Sequence, residues 1–342
     1  MPNIREVARY SKVSIATVSR VLNGSENVSS ETRKKVLKAV KELNYRPAFS
    51  FKENNSTILN TIGVLIPDIR GYHYSDIVMA IDEYAYSKGF NVMLALPKWE
   101  VDIEQQVLEQ YFRRKVDGVI LGELFGGGEL IRRFEKSGVP IVVVDFVVDE
   151  INFDVVNVDN VAGGYLAMKF LYDHGHRKIL FIPGPEMSPA ASDRERGIRK
   201  FLHRVSSKKD LEIFFANSRG YNSEDGWKGV KEHLRAHDLN FTAIFAVNDW
   251  TAIGAIDALK DEGVRLPDDV SIIGFDDAPF AQYTNPRLTT IIQPRMEMGR
   301  VATQLLIERI SEKSQGLPKN VILPTKIVER ESVRDIRKGE LK

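Results

Sequence analysis

Between Ser14 and Asn23 the chain sets small, hydroxyl-bearing, apolar and cationic residues in an order that a helix would sort into two faces. At about 100° per residue, Val18, Val21 and Leu22 share a face suited to burial. Ala16, Arg20 and Asn23 turn the opposite way, with Thr17 and Ser19 at the flanks. Small residues at a helix start let it lie close to base edges, hydroxyls can bond phosphates, and a planar guanidinium can bond guanine twice. The same spacing also suits an ordinary three-helix bundle showing polar residues to water, so from spacing alone both readings stand.

Other chemistries find little support. The chain has no cysteine, which excludes disulfides, thiolate nucleophiles and cysteine-bound metals. The glycines of Phe125 to Leu130 lack dinucleotide spacing and a phosphate-binding lysine, so a loop is expected there. His174-Gly175-His176 falls where a helix should end, and a turn is expected in preference to a metal site. With six histidines and no nucleophile motif partnered by one of them, no catalytic set, cofactor or metal is expected.

The elements that would position these residues fall into two regions. In the first, Asn3 with Glu6, Ser14 and Ser29 each supply a helix cap, Val13 and Val18 a hydrophobic staple, and Asn23-Gly24 and Tyr45-Arg46-Pro47 the stops. Three short helices are expected. Beyond Asn54, apolar runs of strand length at Ile62 to Ile66, Asn91 to Leu96, Gly118 to Leu121 and Ile141 to Val144 alternate with helical stretches such as Asp76 to Ser87 and Ile103 to Arg114. A second series follows at Lys178 to Ile182, Leu211 to Phe215, Ala243 to Val247 and Ser271 to Phe275. Helices are expected there around Gly164 to His174, Trp227 to Ala236 and Thr251 to Glu262. Two such series predict an α/β body of two doubly wound parallel sheets with a cleft between them. Charge divides the same way: residues 1 to 60 hold 11 Lys and Arg against 5 Asp and Glu, and the rest 37 against 42. A basic head that meets a polyanion explains this split, as would a solvated helical face. At 342 residues with 43% hydrophobic content, two or three folded units are expected. No signal-peptide stretch or membrane-length apolar run is visible, so a soluble, cytoplasmic protein is expected.

The stretch "IREVARYSKVSIATVSRVLNGSENVSSETRKKVLKAVKELNYRP" closely resembles the DNA-binding head of the lactose-repressor and galactose-repressor (LacI/GalR) family, and "VSIATVSRVLNG" is its most specific part. The resemblance runs on through "TIGVLIPDI", "DGVIL", "VNVDNVAGGYLA", "HGHRKILFIPGP", "FAVNDWTAIGAIDALKDEGVRLPDDVSIIGFDD", "PRLTTI" and "LPTKIVERES". It implies a helix-turn-helix head on a two-lobed sensor shaped like a type I periplasmic binding protein. It further implies a homodimer, possibly a higher oligomer, that binds near-palindromic double-stranded operator DNA and responds to a small molecule, with no membrane partner. The implied boundaries are a head of residues 1–46, a hinge of 47–60 and an effector-binding region of 61–342. Lobe 1 would take about 61–160 with 293–322, and lobe 2 about 161–290 with 323–342.

Carried over by position, Ile15, Ala16 and Arg20 stand where the family reads bases. Asn3, Ser14, Thr17, Ser19, Asn23, Ser29, Thr32 and Tyr45 stand where it touches phosphates or braces the helix. The wheel places Ile15 nearer the apolar edge, so its role rests on the resemblance. The family's hinge leucine, which wedges into the minor groove, is replaced by Asn54, with a bulky Phe51 nearby; Phe49 or Phe51 could take over the wedge. In the body the family's ligand contacts map onto His73, Tyr74, Asp145, Arg194, Tyr221, Asn248, Trp250 and Asp276. An arginine, a carboxylate and an amide can bond vicinal hydroxyls, and Tyr74, Tyr221 or Trp250 can cover a sugar ring, so a sugar effector and carbohydrate-utilisation targets are expected. The alternatives are a non-sugar effector, either a nucleobase or a phosphorylated co-regulator, or a stand-alone sugar-binding module.

Overall fold

The computed structural model describes residues 4–22, 28–43, 60–70, 72–98, 100–123, 128–146, 153–205, 211–312 and 316–339. Asn3, Asn23 and Tyr45, and the hinge residues Phe49, Phe51 and Asn54, lie outside them. The chain divides into two compact units, Met1–Thr57 and Ile58–Lys342.

In the first unit, α1 (Ile4–Ser11), α2 (Ile15–Leu22) and α3 (Ser30–Glu42) pack Val7, Val18, Val21, Val36 and Ala39 into one small core. Val13 packs on that core beside Val18, as a staple would. Of the three expected caps, the two within the described residues form: the Thr17 amide donates to Ser14 Oγ at 3.1 Å and the Thr32 amide to Ser29 Oγ at 3.3 Å. Each such cap contributes about 1 kcal/mol by satisfying an amide left free at the helix start.

The second unit begins with β1 (Thr61–Leu65), α4 (Tyr72–Ser87), β2 (Asn91–Ala95), α5 (Val101–Arg113), β3 (Gly118–Leu121), α6 (Gly128–Ser137), β4 (Ile141–Val144) and β5 (Asp154–Val158). It continues with α7 (Asn160–Asp173), β6 (Lys178–Ile182), α8 (Pro189–Arg204), β7 (Glu212–Phe215), α9 (Ser223–Ala236), β8 (Ala243–Ala246), α10 (Asp249–Asp261), β9 (Ser271–Ile273) and β10 (Thr290–Ile292). The last elements are α11 (Arg295–Glu312), β11 (Asn320–Leu323) and β12 (Lys326–Val328). One all-parallel sheet has the order β11-β5-β4-β3-β1-β2 and the other the order β7-β6-β8-β9. β10 and β12 form an antiparallel pair beside them. The chain passes between the sheets three times: after β5, between β10 and α11, and between β11 and β12.

Both sheets are covered on both faces, which is why their strands read as apolar runs without alternation. On β1, Ile62 and Val64 face Ile77 and Ile81 of α4 and Leu306 of α11, and Leu65 faces Leu108 of α5 and Phe134 of α6. On β6, Leu180 and Ile182 pack with Ala252 and Ile256 of α10, and Ile179 and Phe181 pack with Leu171 of α7 and Ile198 of α8.

Several features depart from the sequence expectations, the last elements β10, α11, β11 and β12 among them. Helices α4, α5, α7, α9 and α10 begin two to four residues early, α7, α9 and α10 on the capping residues Asp159, Asn222 and Asn248. β5 was not anticipated, since its exposure alternates between buried and half-buried positions. The expected loop at Phe125 to Leu130 is helical from Gly128, where α6 starts. Helix α8 was also missed, because its buried face includes Arg194 and Gly197 and so lacks an apolar stripe. Among the described residues, no helix is long and apolar enough to cross a membrane.

Candidate functional site

The core of the first unit takes Val18 and Val21 of α2, which leaves Ala16 and Arg20 exposed on the other side. Ile15 is also outward, 45% exposed, because as the first residue of α2 it projects past the three-helix core. Ser14 and Ser29 are exposed, and their hydroxyls bond those of Thr17 at 2.8 Å and Thr32 at 2.9 Å. Thr17, Ser19 and Thr32 are half-buried. The exposed Lys34, Lys35 and Lys38 of α3 make this unit cationic, with Lys35 bonded to Glu31 at 2.8 Å.

In the second unit the eight expected ligand contacts fall into three neighbouring groups. On the four-stranded lobe, α8 delivers Arg194, which is 4% exposed. Its Nε donates to Asn160 Oδ1 at 3.0 Å and its Nη1 to the Val247 carbonyl at 2.6 Å; Nη2 lies 3.7 Å from Asp276 Oδ1. The guanidinium stacks 3.7 Å over the Phe275 ring. This placement needs α7 and α8 to touch: a Cβ on Gly164 would lie 2.1 Å from the Arg194 carbonyl oxygen, and one on Gly197 would lie 2.3 Å from that of Val161. Asp276 follows β9 with φ 117°, a left-handed conformation that carboxylate residues seldom hold. Gln293 Nε2 donates to its Oδ1 at 2.6 Å, and Arg295 donates to its carbonyl while bonding Asp76 at 2.9 Å.

Asn248 and Tyr221 form the second group. Asn248 Oδ1 accepts from the Thr251 amide at 2.8 Å, capping α10, and its Nδ2 donates to the Tyr221 carbonyl at 3.1 Å. Asn248 therefore braces the wall with both ends of its amide. Tyr221 shares a 2.7 Å hydrogen bond with Ser188, the N-cap of α8, and burial raises its phenol. Trp250, 36% exposed, packs 4.6 Å from Phe280, which meets Tyr72 of α4 edge-on at 5.5 Å, so aromatic rings span the two lobes.

The third group lies on the six-stranded lobe. His73 Nε2 and Asp145 Oδ2 are 2.7 Å apart, Tyr74 packs edge-on against His73, and Asp145 follows β4 with φ 58°. Burial alone would lower the His73 imidazole, but the charge of Asp145 and their hydrogen bond outweigh it, and Asp276 adds to the rise. Burial and the neighbouring acids Asp145 and Glu123 raise Tyr74.

Sequence reasoning missed Glu123, Asn160, Ser188 and Gln293. Glu123 follows β3, and the Tyr74 hydroxyl accepts from its amide at 3.4 Å. It is 7% exposed, and burial together with the Asp145 charge pushes its carboxyl up to about 7 while Ser188, on the other lobe, pulls it back. Its position at the carboxyl end of a strand, where open α/β sheets bind ligands, was the available signal. Five buried side-chain atoms have no hydrogen-bond partner among the described residues: His73 Nδ1, Glu123 Oε1, Asp145 Oδ1, Gln293 Oε1 and Thr325 Oγ1.

The His174-Gly175-His176 stretch forms the expected turn at the end of α7. His174 caps α7, Gly175 has φ 93°, and both ring nitrogens of His176 are bonded, to Thr242 Oγ1 at 3.0 Å and the Arg334 carbonyl at 3.1 Å. Burial lowers His176 to about 4.

Comparison with known proteins gives a consistent set of matches. A family model described as "Bacterial regulatory proteins, lacI family" matches residues 3–48, and one described as "Periplasmic binding protein-like domain" matches residues 168–333. The chain is 32% identical over 338 residues to a ribose operon repressor of Haemophilus influenzae, covering 98% of this chain and 100% of the relative. It is 34% identical over 322 residues to the HTH-type transcriptional repressor PurR of Pasteurella multocida, covering 92% and 94%. Among solved structures, the lac repressor dimer bound to operator and the anti-inducer ONPF matches with TM-score 0.80 at 26% identity, covering 97% of this chain and 99% of that one. A LacI family transcriptional regulator from Enterococcus faecium with bound ribose matches with TM-score 0.71 at 29% identity, covering 80% and 99%.

Proposed function

The chain belongs to the LacI family of bacterial regulatory proteins, and on that premise we propose that it represses carbohydrate-utilisation genes as an operator-bound homodimer released or engaged by a sugar effector. Members of the family are transcriptional regulators, not enzymes. In this reading residues 1–46 are the DNA head, 47–60 the hinge, and 61–342 the sensor, with Ile15, Ala16 and Arg20 on base edges. Asn3, Ser14, Thr17, Ser19, Asn23, Ser29, Thr32 and Tyr45 hold phosphates or the helix itself. The observation that carries it is the outward face of α2: Ala16 and Arg20 stand exposed while the flanking valines fill the core, so a small residue and a guanidinium can enter a major groove together. Arg194, Asp276 and Trp250, with His73, Tyr74, Asp145, Tyr221 and Asn248 around them, form the effector cleft. A sugar suits it because a guanidinium and a carboxylate 3.7 Å apart sit near exposed aromatic rings. The relatives' names, a ribose operon repressor among them, support the same class.

A ligand that prefers one lobe arrangement changes operator affinity by its differential binding energy, and either sign of that coupling fits. Footprinting should give a near-palindromic site whose affinity falls with salt, because two heads each read one half-site. Arg20→Ala should lose about 1 to 3 kcal/mol, concentrated at one half-site position. An equal loss on every sequence would reduce Arg20 to a phosphate contact, and a monomer on an asymmetric site would refute the dimer.

A further inference from the structure

Resting on the cleft reading above, we propose that the unpartnered oxygens of Glu123, Asp145 and Gln293 form a subsite that takes hydroxyl or ammonium donors from the effector and rejects phosphate esters and carboxylates. Glu123 is 7% exposed, the Asp145 side chain 9% and Gln293 2%, yet Glu123 Oε1, Asp145 Oδ1 and Gln293 Oε1 have no partner among the described residues. All three atoms are acceptors when the carboxyls are ionised, which for Glu123 is the state above about pH 7; below that it carries a proton and can donate as well. A buried acceptor without a donor carries a desolvation penalty that a ligand can relieve only by donating to it.

The groups come from three separate places, the ends of β3 and β4 and the segment between β10 and α11, so their convergence is not the local run of one acidic stretch. Two observations place them in the cleft. Glu123 lies close enough to Asp145, and to Ser188 at the start of α8 on the opposite lobe, for both to act on its carboxyl, and Gln293 donates its amide to Asp276. The cations nearby are already committed. Arg194 is held by Asn160, the Val247 carbonyl and Asp276, Arg295 by Asp76 and two backbone carbonyls, and Arg330 by Asp277 at 2.6 Å. His73 pairs with Asp145, so protonating it makes that pair neutral and not positive. An anionic ligand would therefore meet Asp145 and Asp276, and Glu123 when ionised, with no uncommitted guanidinium to balance it. A polyol offers several O–H donors and an amino sugar adds N–H donors, both without added negative charge.

The subsite thus separates two of the effector classes expected for such a cleft: neutral or amino sugars fit, and sugar phosphates and sugar acids do not. The test is calorimetry and thermal shift on the full chain with D-ribose, D-glucose, D-glucosamine, ribose 5-phosphate, glucose 6-phosphate and gluconate. These are measured on wild type, Glu123→Gln, Arg194→Lys and Trp250→Ala, with circular dichroism to verify each fold. The expected result is that the binders are neutral or amine-bearing and that the phosphate of any binder binds at least tenfold more weakly than its parent. Glu123→Gln, which keeps an acceptor but removes the charge, should narrow that gap at least threefold. A phosphate ester or sugar acid that binds as tightly as its neutral parent, and loses affinity in Arg194→Lys or Trp250→Ala, overturns the subsite while leaving the cleft intact. Sugar binding indifferent to both of those variants moves the ligand out of the cleft and overturns both readings together.

Discussion

On the four-stranded lobe, Arg194 is clamped by Asn160 and the Val247 carbonyl, Asn248 uses both ends of its amide within the wall, and Ser188 bonds Tyr221. Across the cleft, Glu123 Oε1, Asp145 Oδ1 and His73 Nδ1 are buried without partners, and the two remaining orphans, on Gln293 and Thr325, sit on segments that pass between the lobes. One wall is a finished hydrogen-bond network that holds its shape before any ligand arrives. The other stores unsatisfied groups, each worth about 1 to 3 kcal/mol when a partner is supplied. A ligand seated on the rigid wall would therefore gain most by drawing the second wall and the crossing segments onto itself, which is how a binding event can favour one lobe arrangement over another.

Removing the clamp should break the contrast most severely. Arg194→Ala strips partners from Asn160, the Val247 carbonyl and Asp276 at a site 4% exposed, and it should lower unfolding stability by about 3 to 5 kcal/mol in urea titrations. A loss under 1 kcal/mol would mean that the wall is not held from this residue.

The unsatisfied wall is probed next by pH. Glu123 is pushed up to about 7 by burial and by Asp145, with Ser188, His73 and Arg194 pulling it back, so the folded protein binds a proton there that the unfolded chain releases near its ordinary value of 4.5. Stability contributed by the protonated carboxyl is present below about 4.5 and is lost as pH rises towards 7. Glu123→Gln should accordingly match wild type at pH 4.5 and exceed it by about 3 kcal/mol at pH 8. A pH-independent difference between the two proteins would count against burial of the charged form.

A smaller effect is expected where α7 meets α8. Gly164→Ala forces a Cβ to within 2.1 Å of the Arg194 carbonyl oxygen, so the helices must part, at about 1 to 3 kcal/mol. Ligand affinity should fall as well, since Arg194 moves with α8. Gly89→Ala, at φ 78° with nothing within 4 Å of the added atom, is the control that carries backbone strain without a clash.

The same contrast explains what could be read from residues alone. Strands such as Gly118–Leu121 and Lys178–Ile182 coincide with their apolar runs, because parallel strands covered on both sides leave little room for polar interruption. Arg194, Asn248 and Asp276 were singled out through the family resemblance, and the structure places Arg194 and Asp276 3.7 Å apart. For Glu123 the one signal was its place after β3, and nothing in the spacing around it or Gln293 indicates that a carboxyl and an amide will be buried unpaired. Ile15 shows a related blind spot: a helical wheel assumes that apolar means inward, and the first residue of a short helix can extend past the core. Helix α8 hid for the opposite reason, since the side chain it buries is a charged one.

The proposed function requires a cleft that senses and a head that reads, coupled but separable. The most direct measurement is an operator gel shift of wild type and Asp276→Ala, each with and without the tightest-binding neutral sugar from the panel. The account predicts that both bind operator equally without sugar and that only wild type responds to it. An Asp276→Ala protein whose operator affinity still follows the sugar as wild type does would contradict it.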